Sequence, residues 1–409
     1  MAMGWAVLAA ALLGFAALPA RAADAAFQKF LESLRPEAEA AGVSSATFDA
    51  AISGLEPDFS LPDLDLPGRD KTGSKGQAEF TRPPSEYLDK AYMARLAQDA
   101  KPYLAKHAKE FQIIEDRIGV DRYSLLAFWA RETALGTYKL PYDAIRVLAT
   151  QAYVGRRKDV FRAELIAAFG MLEDGVPRAK MRSSWAGAVG LTQFMPTEWK
   201  PYAQDIDGDG VKDIFNSAPD ALGSTAAQLA GKGWVRGQHW GYEVVIPPAA
   251  SCAMEGPLQE RPLADWVKLG FKRADGKAWS ASDLKSTVYL MSPAGAHGPA
   301  FLVFENYKVI RRYNTSDLYA VFVGHLADMI EGGGDFRASW AGAQPQKTAV
   351  VEEIQNRLKV LGYDVDKIDG KIGSNTRMNI GKYEQANKLP TDCWPSEAVL
   401  THMRQLAGQ

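Results

Sequence analysis

The stretch DRYSLLAFWARETALG, residues 121–136, decides how this chain is read. Asp121 is of a type that caps helices, since its carboxylate can accept a backbone N–H of the first turn. Leu125, Leu126, Phe128 and Trp129 then set an apolar helix, whose pattern is interrupted near its end by Arg131-Glu132-Thr133. A carboxylate beside aromatic and aliphatic neighbours is costly to ionise, so Glu132 is expected to titrate high enough to donate a proton near neutral pH. A general acid for a glycosidic bond needs that property. The same residues also fit a solvated helix end in which Glu132 pairs with Arg131.

Outward from this helix, SSWAGAVGLTQFMPTEWKPYAQ (183–204) sets Gly and Ala where backbones pack closely, a polar Gln193 inside an apolar run, and a Phe-Met-Pro stop. Directly after it comes DIDGDGVKDIFNSAPD (205–220). Aspartates at 205, 207 and 209, then Gly210 and Asp213, reproduce the opening of an EF-hand loop, in which oxygens wrap a hard cation. The twelfth loop position is Asn216, where an EF-hand carries a bidentate Glu. A calcium sensor, a structural metal site and a bare acidic turn are all compatible with that pattern.

The first residues, ending in Ala20-Arg21-Ala22, read as a cleaved secretory signal over 1–22. Its apolar run, Trp5 to Leu18, is shorter than the roughly 20 residues that span a bilayer. The segment 27–55 reads as two short helices, and 56–85 as an extended Pro-, Asp- and Gly-rich stretch. From 86 to about 233 the pattern is dominantly helical, whereas GYEVVIP, STVYLMSP and PAFLVFENYKVIRRYN mark a β-rich region at about 241–312. A further helix precedes a linker by composition, 333–348, and then a small helical unit from 349 to 409.

With 47% hydrophobic residues the chain can bury a substantial core, and a net charge of -2 gives no concentrated basic face for nucleic acid. Two cysteines, Cys252 and Cys393, are too few for a disulfide framework; in an oxidising compartment they could pair, which is left open here. The five histidines (107, 239, 297, 325 and 402) show no zinc-ligand spacing.

Taken together, RETALG, SWAGAVGLTQFMP, YAQDIDGDGVKDIF, GKGW and RRYNTSDLYA resemble the lytic murein transglycosylases of the membrane-bound lytic transglycosylase B group, over roughly residues 26–332. The tail LKVLGYDVDKIDGKIGSNTR looks like a three-helix peptidoglycan-binding module. The resemblance implies a mainly α (α+β) fold. Its parts would be a helical N-terminal segment, a lysozyme-like core at about 86–240 within a catalytic region 23–332, a small β-rich subdomain and the C-terminal binding domain.

By the same resemblance Glu132 is the single catalytic acid/base, and Ser184, Gln193, Tyr313, Asn314, Tyr319, Arg156 and Arg157 contact substrate. Where relatives can show further cleft tyrosines this chain has Val160 and Gln228. Calcium would be held by Asp205, Asp207, Asp209, the carbonyl of Val211 and a terminal carboxylate from Asp220, with no organic cofactor. The implied activity is periplasmic cleavage of peptidoglycan glycan strands that leaves 1,6-anhydromuramic acid ends. Alternatives are a hydrolytic muramidase and a non-catalytic wall-binding protein.

Overall fold

The computed structural model describes residues 18–67, 82–340 and 342–406. Residues 1–17 of the expected signal, and 68–81 of the expected extended stretch, lie outside the described residues. The chain forms two compact units. One comprises the described parts of Met1–Thr72 with Leu140–Ala188 and Met195–Thr197; the other comprises those of Gly73–Lys139, Val189–Phe194 and Glu198–Gln409. No helix among the described residues is long and apolar enough to cross a membrane.

The first unit opens with three helices where two were expected, Leu18–Glu32, Arg35–Ala40 and Ser45–Ile52. Pro36 sits in the first turn of the second, a place where a missing N–H costs nothing, so the chain restarts instead of continuing. Ser44 caps the third helix, its Oγ accepting from Thr47 N at 3.2 Å. Two further helices, Ala144–Val154 and Lys158–Glu173, belong to the unit, with Phe48 edge-on to Phe169 and Phe27 edge-on to Tyr153. The stretch after residue 56 is pinned to the first of these: Gln151 donates to the Pro62 carbonyl and Asp58 N donates to Thr150 Oγ1, both at 2.9 Å. Strands β1 (Tyr142–Asp143) and β2 (Arg182–Ser183) pair antiparallel, Tyr142 opposite Ser183.

In the second unit the Arg122–Thr133 helix is buried continuously from Ser124 to Ala130, as a helix apolar around most of its circumference must be. Asp121 caps it as expected, accepting from Ser124 N at 2.8 Å. The helix packs on Asp317–Glu331 and Lys90–Lys106. Each fully buried Leu or Phe contributes roughly 1.5–3 kcal/mol, so burial more than intrinsic propensity holds it. The β-rich region is one antiparallel sheet of β3 (Gly241–Val245), β4 (Arg261–Pro262), β5 (Lys272–Arg273), β6 (Thr287–Met291) and β7 (Ala300–Val303), in the order β4-β6-β7-β3-β5. The central β7 is buried at every residue, which is why it reads as an unbroken apolar run.

The tail folds as three helices, Thr348–Val360, Ser374–Ala386 and Glu397–Leu406, around Ile354, Leu358, Ile380, Tyr383, Leu400 and Met403. It belongs to the same compact unit as the buried helix and the sheet. Cys252 and Cys393 form a disulfide that ties the tail to the sheet region. The expected linker at 333–348 runs without regular structure between the helices that end at Glu331 and begin at Thr348, mostly exposed but anchored at a few side chains. Phe336 stacks on His325 with centroids 3.7 Å apart, and Trp340 and Ala343 are buried. Its composition marks the connection, and Phe336 and Trp340 anchor it.

Candidate active site

Glu132 is half-buried in the last turn of the Arg122–Thr133 helix. The chain leaves that helix through Ala134, Leu135 and Gly136, with φ of 47°, 57° and 81°. Two successive non-glycine residues in the left-handed region are costly, and such strain persists only where surrounding contacts over-determine it. Here Thr133 supplies those contacts: its hydroxyl donates to the Leu191 carbonyl at 2.6 Å and accepts from Gly136 N at 3.1 Å. The helix end carrying Glu132 is thereby tied to the GLTQ turn.

Two tyrosines from a distant part of the chain meet this end. Tyr319 donates its phenolic hydrogen to Glu132 Oε1, and Tyr313 donates to the Thr192 carbonyl. Their rings are near parallel, 6° apart in plane and 6.3 Å apart in centroid, and Tyr313 also packs on Phe128. Burial, and then the negative charge of Glu132, hold both phenols well above the ordinary tyrosine range. Both therefore remain donors at any physiological pH. Arg131 turns its guanidinium to Tyr87, donating to the hydroxyl at 2.6 Å, and stands over the Phe322 ring at 4.7 Å. It supplies a fixed positive charge beside the carboxylate.

Gln193 is half-buried at the end of the same turn, with φ 55° and its amide donating to the Gly190 carbonyl at 3.4 Å. Gly190 allows that turn: φ is +73°, and a Cβ there would stand 2.7 Å from the Ile214 carbonyl oxygen. Asn314 follows Tyr313 directly, its Oδ1 accepting from Ser316 N at 3.1 Å. Glu132, Gln193, Tyr313, Asn314 and Tyr319 all belong to the second unit.

Ser184, Arg156 and Arg157 belong to the first. Ser184 is half-buried just after β2, in a tight loop where its N–H donates to the Ala188 carbonyl and its own carbonyl accepts from Gly187 N. Arg156 and Arg157 are exposed and both approach Asp63, at 3.8 and 3.4 Å. Of the two departures from the resembling family, Val160 is 52% exposed, whereas Gln228 is buried with its Oε1 unpartnered.

The acidic loop gathers Asp205, Asp207 and Asp209, each offering one oxygen within 4.8 Å of the others. Ser217 donates to Asp207 at 2.6 Å, and Gly208 N and Gly210 N donate to Asp205. Asp220 is buried and does something different: its oxygens accept from the backbone N–H groups of Ile206, Asp207 and Asp213. Burial pushes its carboxyl upward. Asn216 closes on Asp213, and Val211 donates its N–H to Asp209. Three carboxylates and no sulfur or imidazole is a donor set that suits a hard cation such as calcium.

A family model described as Transglycosylase SLT domain matches residues 26–328, and a peptidoglycan binding domain matches 347–403. The chain belongs to the SLT-domain transglycosylase family. Among curated relatives, membrane-bound lytic murein transglycosylase B of Escherichia coli K12 is 28% identical over 215 residues, 49% of this chain. The match spans 54% of that relative's length. Among solved structures, SltB3 from Pseudomonas aeruginosa in complex with NAG-NAM-pentapeptide is 37% identical with a TM-score of 0.81, over 92% of this chain and 99% of that one. SltB3 in complex with NAG-anhNAM-pentapeptide is 36% identical at 0.80, with the same coverage. E. coli SLT35 in complex with calcium matches in fold, with 19% identity and a TM-score of 0.58 over 75% of this chain and 93% of that one. The SLT-domain fold is lysozyme-like, largely helical with small sheets, and ends here in the helical peptidoglycan-binding domain.

Within this SLT-domain chain several residues that build the site have roles that the sequence does not announce. Thr133 and Thr192 lie inside quoted motifs, so their roles were open to inference from a polar residue in an apolar run. Tyr87 carries no local signal, since its partner Arg131 is 44 residues away.

Proposed function

We propose that the chain is a periplasmic lytic transglycosylase that cleaves the β-1,4 bond between N-acetylmuramic acid and N-acetylglucosamine in peptidoglycan, leaving 1,6-anhydromuramic acid ends. The observation that carries this reading is the carboxyl of Glu132, held by Tyr319 at the end of a buried helix. One Glu132 oxygen accepts from Tyr319, and the carboxyl proton goes to the glycosidic oxygen leaving C1. The substrate's acetamido group stabilises the cation-like centre, and Glu132 then removes the proton from the C6 hydroxyl as that oxygen closes on C1. No water is consumed, and no second carboxylate is needed as nucleophile. Support comes from SltB3, crystallised with both an intact and an anhydro muropeptide.

Gln193 and Asn314 position the sugar ring and Tyr313 offers an aromatic face. Ser184, Arg156 and Arg157 carry substrate contacts on the first unit. Asp205, Asp207 and Asp209 hold a structural calcium ion, which neutralises three crowded carboxylates and fixes the loop. The leader 1–22 directs export, and the C-terminal domain keeps the enzyme on an insoluble polymer by raising its local concentration.

The test is digestion of purified sacculi by the wild type and by Glu132→Gln, with soluble muropeptides read by mass. Anhydro ends lighter by one water, and a rate loss of about 10²-fold or more in the variant, are expected. Reducing ends would make the protein a hydrolytic muramidase. Unchanged solubilisation by Glu132→Gln would make it a binding protein.

A further inference from the structure

The helices Glu305–Tyr313 and Asp317–Glu331 meet at a corner, and both catalytic-site tyrosines sit beside it: Tyr313 ends one helix and Tyr319 lies in the first turn of the other. Asp317 joins the two. Its Oδ1 accepts from the Tyr307 hydroxyl at 2.9 Å and pairs with Arg311 Nε at 3.1 Å, both from the preceding helix and one turn apart. Its Oδ2 accepts from Nη2 of Arg377 at 3.0 Å. Arg377 comes from the tail helix Ser374–Ala386, is buried to 2% side-chain exposure, and also donates to Glu255 Oε1 at 2.9 Å and to the Ile372 carbonyl at 2.7 Å. Glu255, fully buried, accepts from Ser292 N with its other oxygen.

A module that served only to hold the wall would need no such network. Burying ionised groups costs desolvation, and apolar packing could dock the tail equally well, so the fixed directions of a guanidinium are what the arrangement adds. One of those directions ends on Asp317, a carboxylate shared by both tyrosine-bearing helices. We propose that Arg377 of the peptidoglycan-binding domain is a positioning residue for Tyr313 and Tyr319, acting through Asp317, so that this domain braces the catalytic site as well as anchoring the enzyme. The proposal rests on the transglycosylase reading above.

The test uses the full chain with Arg377→Met and Glu255→Gln combined, so that the Glu255 carboxyl is not left buried without its guanidinium partner, and with the Cys252–Cys393 bond intact. On a soluble NAG-NAM tetrasaccharide, where retention on the polymer plays no part, kcat should fall about tenfold or more while KM stays within about twofold. Binding to sacculi should be unchanged, and amide hydrogen exchange should quicken at 313–319 but not across 348–406. Wild-type kcat together with wild-type exchange at 313–319 would overturn the proposal. If wild-type protein gives no anhydro product, the activity reading fails on its own, and exchange at 313–319 still decides whether Arg377 braces the corner. If the double variant does not fold, Arg377→Lys takes its place, keeping the charge without the two-carboxylate fork. A kcat loss of about threefold or more with faster exchange at 313–319 supports the brace, and wild-type values of both overturn it.

Discussion

Tyr319 donates its phenolic hydrogen to Oε1 of Glu132 from 187 residues further along the chain, and its own helix is buried against the helix that carries the acid. The contact fixes which carboxylate oxygen faces the protein. Tyr319→Phe removes that hydrogen bond without creating a cavity. We expect kcat on soluble glycan to fall about 10–10²-fold with the melting temperature almost unchanged. Steady-state kinetics beside a thermal melt check this, and a wild-type kcat would remove Tyr319 from the chemistry.

How far this site was legible follows from what each residue does locally. Glu132 interrupts an apolar helix, and Asp205, Asp207 and Asp209 alternate with turn residues, so both signals lie within a few positions of chain. The pairing of Glu132 with Tyr319, like the hub at Asp317, depends on packing between segments far apart; resemblance supplied Tyr319 as a cleft residue but neither the pairing nor the hub. The anchoring of the 333–348 linker was hidden for a related reason. Composition reports average polarity, whereas Phe336 and Trp340 each need one complementary surface that no local window displays.

Calcium should stabilise the loop of Asp205, Asp207 and Asp209. At a free concentration about 100 times the dissociation constant, a single native-state site adds about 2.7 kcal/mol. Melting temperature should therefore rise with calcium and fall again with chelator. A combined Asp205→Asn and Asp209→Asn variant should lose the response. A melt indifferent to both additions would leave the loop as a bare acidic turn.

Opening the Cys252–Cys393 bond should weaken the second unit. The two cysteines are 141 residues apart, and closing so long a loop restricts the unfolded chain, an effect of about 2–4 kcal/mol in such cases. Urea titration of the oxidised protein against Cys393→Ser should show the difference in midpoint. Equal midpoints would mean that packing alone holds the tail.

Stability should also depend on pH through Glu255. Burial pushes its carboxyl up to about 8, against the opposing pull of the Arg377 guanidinium. Between an unfolded value near 4.5 and about 8 the folded protein keeps a proton that the unfolded chain has released. The resulting stabilisation is complete below about 4.5 and is lost as pH rises through about 8. Glu255→Gln should flatten the decline of urea midpoints between about pH 5 and 8. Part of the slope will remain, because burial also raises Glu384 to about 8.

The disulfide has one more consequence, for what a protease can do to the molecule. It bridges Cys252 and Cys393 across the segment 333–348, so a protease that cuts that segment produces two peptides still joined by a covalent bond. Such a nicked molecule would migrate intact on a non-reducing gel and separate only after thiol treatment. Its hold on the wall would then depend on the redox state around it, not on an unbroken backbone.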